Sequence, residues 1–191
     1  MSGQSGATGL LAGAVSYALA ACALIRPGEM ALPTPCPGWD LTALLGHLGD
    51  SMADLETAIR TGCLDLDHPR GPAGEDPVDT VRERAAELLC AAYCYAGPES
   101  FVMVGGLPMP AGLVACTGAV EIAVHGWDVT AALARAGLDR NTPIPAALAT
   151  RMLRLCPLIV AGRESLFAGP VAVPAQASPG DQLVGYLGRQ P

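Results

Sequence analysis

The chain of 191 residues contains no lysine. All eleven basic residues are arginine, scattered singly apart from Arg82 and Arg84. Without a basic stripe, a nucleic-acid partner is not expected. The net charge of −7 mainly favours solubility. Aromatic residues are scarce at 4%, so Leu, Ala and Val must fill the core. Charged residues make up only 15% against 51% hydrophobic ones, the balance of a folded chain rather than a disordered one. The length suits one domain spanning residues 1–191 that can bury a large core without staples. Several catalytic patterns are also missing. There is no GxSxG, no Walker loop, no HExxH and no CxxC pair.

An odd number of cysteines, seven, argues against a disulfide framework. Cys22, Cys90, Cys94, Cys116 and Cys156 sit inside apolar runs, which predicts buried free thiols in a reducing compartment. Cys36 and Cys63 lie near helix ends, and Cys36 reads as a packing residue rather than a nucleophile. Gly9 to Ile25 is apolar, and Leu19-Ala20-Ala21-Cys22 imitates a lipoprotein cleavage box. Residues 1–8 carry no Lys or Arg, however, and the run is short for a membrane span. It is expected to be the first core helix of a cytoplasmic protein with no membrane partner.

Five long or medium helical segments are predicted, with no convincing strand alternation. The first covers about 7–25 and stops before Pro27-Gly28. The second starts at Asp40, a good N-cap, and runs to about Arg60. Its Leu41, Leu45, Leu48, Met52, Leu55 and Ile59 step by three and four, a bundle seam. Residues 61–75 read as a loop. Asp76-Pro77 then offers an N-cap followed by a first-turn proline, opening a helix to about Tyr95. A second loop covers 97–110, in which Gly105-Gly106 reads as a turn rather than a phosphate cradle. The fourth helix covers about 111–136. A fifth opens at Thr142-Pro143 and ends near Val160. An extended Pro170–Pro174 segment precedes a short last helix capped by Ser178-Pro179. These elements imply an all-α four-helix bundle with an additional helix, an extended C-terminal tail and a short final helix.

The fourth helix carries the chemistry. It is almost wholly apolar, yet Thr117, Glu121, His125 and Asp128 step by four, four and three along one face. Glu121 and His125 can reach one atom. A buried unpaired carboxylate is costly, and a bound cation would remove that cost. A solvated polar face is the competing reading. A further ligand must come from elsewhere, and the other histidines are His47, beside the seam of the second helix, and His68, in a loop where a solvated role is expected. Two histidines and one carboxylate leave coordination positions open, which suits catalytic Zn²⁺ or the Fe²⁺ facial arrangement. Asp50 and Asp128 stand three residues after His47 and His125 and could orient them from behind, though Asp50 also reads as a plain surface carboxylate.

Thr34-Pro-Cys-Pro-Gly-Trp39 followed by Leu44-Leu45-Gly-His47-Leu48 resembles the motif opening the second helix of the mycothiol-dependent maleylpyruvate isomerase N-terminal family, within the DinB/YfiT-like metalloenzyme superfamily. Glu121-Ile-Ala-Val-His125-Gly-Trp-Asp128 resembles the second motif of that family, and the segment from Leu166 to Arg189 looks like the close of an actinobacterial single-domain subgroup. The resemblance implies a DinB-like bundle, often a homodimer, with His47, Glu121 and His125 as ligands of one divalent ion. Zn²⁺ leads, with Ni²⁺, Fe²⁺ or Mn²⁺ as alternatives. It also implies a low-molecular-weight thiol such as mycothiol as co-substrate. The isomerase carries a C-terminal domain that has no counterpart here, so its specific reaction is not implied. Phe101, Met103, Met109 and Thr117 are the candidate pocket walls, suited to an apolar or neutral small-molecule substrate. The expected activities are therefore metal-dependent thiol transfer or isomerisation, or Lewis-acid tailoring such as cyclisation in secondary metabolism. A non-catalytic metal- or ligand-binding bundle is the alternative.

Overall fold

A computed structural model describes residues 2–64, 76–95, 100–160 and 168–191. Its elements are α1 (Ser2–Cys22), α2 (Leu41–Thr61), β1 (Cys63–Leu64), α3 (Pro77–Cys94), β2 (Phe101–Val104), β3 (Leu107–Pro110), α4 (Ala111–Arg135), α5 (Ala146–Val160) and α6 (Pro179–Tyr186). The fold is mostly helical, as expected, with a small three-stranded sheet that was not. The proposed loop residues 65–75, with His68, and also Glu99, Leu166 and Phe167, lie outside the described residues.

The helix starts follow from their caps. Asp40 Oδ1 accepts from the Ala43 N–H at 2.9 Å, and Asp76 Oδ1 from Val78 at 2.8 Å with Pro77 in the first turn. Ser178 Oγ accepts from Asp181 at 3.1 Å. These side chains satisfy amide groups that the helix itself leaves unpaired. α5 begins at Ala146 rather than at Thr142. Pro145 disfavours helical backbone at Ile144 before it, which keeps the helix from starting earlier in the segment.

The segment 100–110 is a hairpin, not a loop. β2 pairs antiparallel with β3, Val104 opposite Leu107, and parallel with β1, Cys63 opposite Met103. Gly105 and Gly106 both have positive φ, at 55° and 81°. Such backbone suits the two-residue turn that matches strand twist, and glycine adopts it without strain. Pro108 and Pro110 hid the strand, yet β3 is the sheet edge, where proline is tolerated.

α1 packs along α4, while α2 packs on both α3 and α4. The seam of α2 is buried as expected, Leu41, Leu45, Leu48, Met52 and Leu55 all 5% exposed or less; Leu44 joins it and Ile59 is half-buried. At Gly126 a Cβ would lie 3.0 Å from Ala18 Cα and 3.1 Å from the Tyr17 ring. Glycine there lets α1 and α4 approach closely beside His125. α5 packs on α4 and α1, and α6 packs on α5. Among the described residues no helix is long and apolar enough to cross a membrane.

The cysteine expectation holds only in part. Cys22 and Cys156 are buried and Cys116 is half-buried, but Cys90 and Cys94 are exposed. α3 turns Val81, Ala85, Leu88, Ala91 and Ala92 inward. Cys90 and Cys94, one turn apart, fall on the opposite side despite apolar neighbours.

Candidate metal centre

The turn before α2 is closed on itself. Thr34 N–H donates to the Trp39 carbonyl at 2.9 Å, and Thr34 Oγ1 accepts from the Cys36 N–H at 3.1 Å. It sets Trp39 against His47, with ring centroids 4.9 Å apart, and places Cys36 near Asp128. α2 contributes His47 and Ser51 to the same place, and α4 contributes Glu121, His125 and Asp128. His47 and His125 rings meet edge to face at 4.9 Å.

The stripe on α4 is therefore not a solvated face. His125 is 8% exposed and Asp128 fully buried, while Glu121 is half-buried. Ligand atoms of His47, Glu121 and His125 all lie within 4.8 Å of one another. His47 Nε2 is 3.3 Å from Glu121 Oε1. Zinc bonds of about 2.05 Å at tetrahedral angles also give a donor–donor edge of about 3.3 Å. The donor types thus suit a divalent cation, and the His47–Glu121 edge has the right length for one. Ser51 Oγ donates to Glu121 Oε1 at 2.9 Å and lies 3.5 Å from His47 Nε2. Burial pushes the Glu121 carboxyl up, but hydrogen bonds from His47 and Ser51 and the nearby histidine charges outweigh it and hold it below the usual carboxylate range.

Behind His125 stands a second layer. His125 Nδ1 is 3.0 Å from Asp128 Oδ2. With the proton on Nδ1, that contact is a donated hydrogen bond and leaves Nε2 with a free lone pair. Arg189, after α6, donates to both Asp128 oxygens, Nε to Oδ1 at 3.3 Å and Nη2 to Oδ2 at 3.0 Å. The Cys36 thiol donates to Oδ2 at 3.4 Å. Burial raises the Asp128 carboxyl, yet His125 and Arg189 outweigh it and leave it lowered. Burial, then the Asp128 charge, pushes the Cys36 thiol up to about 11, so it is a donor and not a nucleophile near neutral pH.

Of the two orienting carboxylates anticipated, Asp128 contacts its histidine. Asp50 is half-buried. Thr117 is half-buried and bonds back to the Leu113 carbonyl of its own helix at 2.9 Å. Phe101 and Met103 are largely exposed on the hairpin, and Met109 is half-buried. Phe101 lines a small cavity with Leu11, Ile59, Ala92 and Ala115, which none of the three candidate ligands lines. Sequence reasoning missed Ser51 and Arg189 as members of the centre. Ser51 had a usable signal, since it follows His47 by one helical turn. Arg189 had only its place at the close of the resembling segment Leu166 to Arg189, with nothing to tie it to Asp128 61 residues earlier.

Residues 11–130 match the profile of the family described as mycothiol maleylpyruvate isomerase N-terminal domain. Two uncharacterised proteins of Mycobacterium tuberculosis, from strains CDC 1551/Oshkosh and H37Rv, are each 25% identical over 172 residues, covering 86% of this chain and 87% of theirs. No solved structure matches the chain significantly.

Proposed function

The chain belongs to the mycothiol maleylpyruvate isomerase N-terminal domain family, a group of DinB-like helical domains, and from that premise we propose that it is a divalent-metal-dependent enzyme activating a thiol or water nucleophile. Thiol transfer or isomerisation with a mycothiol-type carrier is the leading form. A Lewis-acid tailoring reaction on a small, largely apolar substrate is the variant. The observation carrying this reading is the convergence of His47, Glu121 and His125, with a 3.3 Å donor–donor edge.

His47 and His125 would hold the ion as neutral imidazoles and Glu121 as the anion that offsets its charge. When bound, such an ion lowers the pKa of a coordinated thiol or water. Ser51 fixes one oxygen of Glu121 by donating to it. Asp128 selects the His125 tautomer whose Nε2 is free. Trp39 stands tilted beside both histidine rings, with centroids 4.9 and 6.3 Å away. Its ring offers an apolar wall on that side. The Arg189 guanidinium is already engaged by Asp128. That combination favours a neutral or apolar substrate over a small diacid.

Protein purified without chelator is expected to contain about one divalent ion per chain. Glu121→Gln and His125→Ala should lose it while circular dichroism stays helical. If both variants keep full occupancy in elemental analysis, the centre is not where the metal binds. Calorimetry with mycothiol, with and without Zn²⁺, then tests the thiol. Heat only with metal supports activation of the thiol. No heat in either leaves a water-based reaction or a non-catalytic metal protein.

A further inference from the structure

We propose that Arg189 is a positioning residue of this centre, holding Asp128 onto His125 and closing a rival donor set to the cation. The inference rests on the metal reading above. α6 ends in a turn in which the Gly188 N–H bonds the Gly185 carbonyl at 3.1 Å and the Arg189 N–H bonds the Val184 carbonyl at 2.9 Å. These are the paired bonds of a Schellman cap, which wants a left-handed residue at Gly188. Gly188 has φ of 82°, and a Cβ there would lie 2.6–2.9 Å from Ala168 atoms. Glycine at that place is what lets the chain turn and send Arg189 inward.

Asp128 is wholly buried, and a buried carboxylate needs full compensation. Arg189 supplies charge and geometry together. Its two nitrogens engage both oxygens, which fixes the rotation of the carboxylate plane. Oδ2 then accepts from His125 Nδ1 in one orientation. The imidazole rotation follows, and with it the direction of Nε2 towards Glu121 and His47. A loose Asp128 would leave His125 free to rock.

Cys36, His125 and Asp128 also bring donor atoms within 4.8 Å of one another and could attract a thiophilic cation. Arg189 Nη2 stands 3.0 Å from Asp128 and 3.8 Å from the Cys36 sulfur. A guanidinium in that place holds the position that a second cation would need.

The test uses Co²⁺ alone as probe on the full chain. Three quantities are measured: the Co²⁺ dissociation constant, the visible ligand-field spectrum and the thermal midpoint of metal-free protein. Residues behind a ligand typically contribute 10–100-fold to affinity. Arg189→Ala should bind Co²⁺ at least about tenfold more weakly or with altered bands. A new cobalt–thiolate charge-transfer band would mark metal relocating to Cys36. Arg189→Lys should recover only part, because an ammonium lacks the planar fork. In an Asp128→Asn background, Arg189→Ala should change neither the Co²⁺ affinity nor the ligand-field bands, since Arg189 reaches His125 through Asp128 and the rival donor set has lost its carboxylate. Wild-type affinity and bands in Arg189→Ala would overturn the proposal, whatever happens to the thermal midpoint. So would an equal loss in the Asp128→Asn background. If Arg189→Ala does not fold, Arg189→Lys carries the test, and an unchanged affinity and spectrum there overturns it. A wild-type protein that takes up no Co²⁺ or Zn²⁺ sinks the metal reading first, and the role of Arg189 with it.

Discussion

Among single residues, the thiols separate most sharply. Burial pushes Cys22 up to about 12 and Cys156 up to about 11, whereas Cys63 and Cys90 are exposed. A thiol with a pKa of 11 is thiolate in about one molecule per thousand at pH 8. Iodoacetamide at pH 8 should therefore label Cys63 and Cys90 early and Cys22 and Cys156 last, by peptide mapping. Unfolding in urea should erase the difference. Fast labelling of Cys22 or Cys156 in native protein would mean that the core is open. The misreading of Cys90 and Cys94 has a physical source. Leu88-Leu89-Cys90-Ala91-Ala92 is apolar on average, but averages do not give the phase of a helix, and phase decides exposure. The convergence of His47, Glu121 and His125 was legible because one pair is spaced i, i+4 and the motifs resemble a known family. Arg189 was not, because only tertiary approach brings it to Asp128.

Elements read more easily than residues where local chemistry is strong. Asp40, Asp76 and Ser178 each announced a helix that the structure contains. The hairpin was illegible because its outer strand carries Pro108 and Pro110, residues that argue against strand unless the edge position is known. α2 has two duties that mutation can separate. Leu45 is 1% exposed on the packed side, and His47 is half-buried at the centre. Leu45→Ala should cost about 2–5 kcal/mol in urea unfolding, by lost transfer energy and a residual cavity. Metal stoichiometry should survive it. His47→Ala should reverse the pattern, losing metal while sparing most of the stability of the metal-free protein. Should Leu45→Ala prove harmless while His47→Ala unfolds the chain, the polar cluster rather than the seam would be holding α2.

For the whole molecule, the centre joins parts of the chain far apart in sequence, since His47 lies on α2 and His125 on α4. A ligand that binds only the folded state adds about 2.7 kcal/mol when present at 100 times its dissociation constant. In a chain of this size that corresponds to roughly 5–10 °C in Tm. Chelator should lower Tm by that order, and Zn²⁺ should restore it. Equal midpoints with and without chelator would mean that the cation binds folded and unfolded chains alike, or not at all. The docked arginine gives the fold one more property, in protease susceptibility. Trypsin must draw an arginine side chain into its own pocket before it can cut, and Arg189 presents only 16% of its side chain while it grips Asp128. Cleavage between Arg189 and Gln190 therefore requires Arg189 to let go of Asp128, so its rate follows the fraction of time the side chain spends undocked. Mass spectrometry of a timed digest should find that bond cut slowly in native protein, more slowly with Zn²⁺, and quickly in Asp128→Asn, where the guanidinium has lost the charge that keeps it inside.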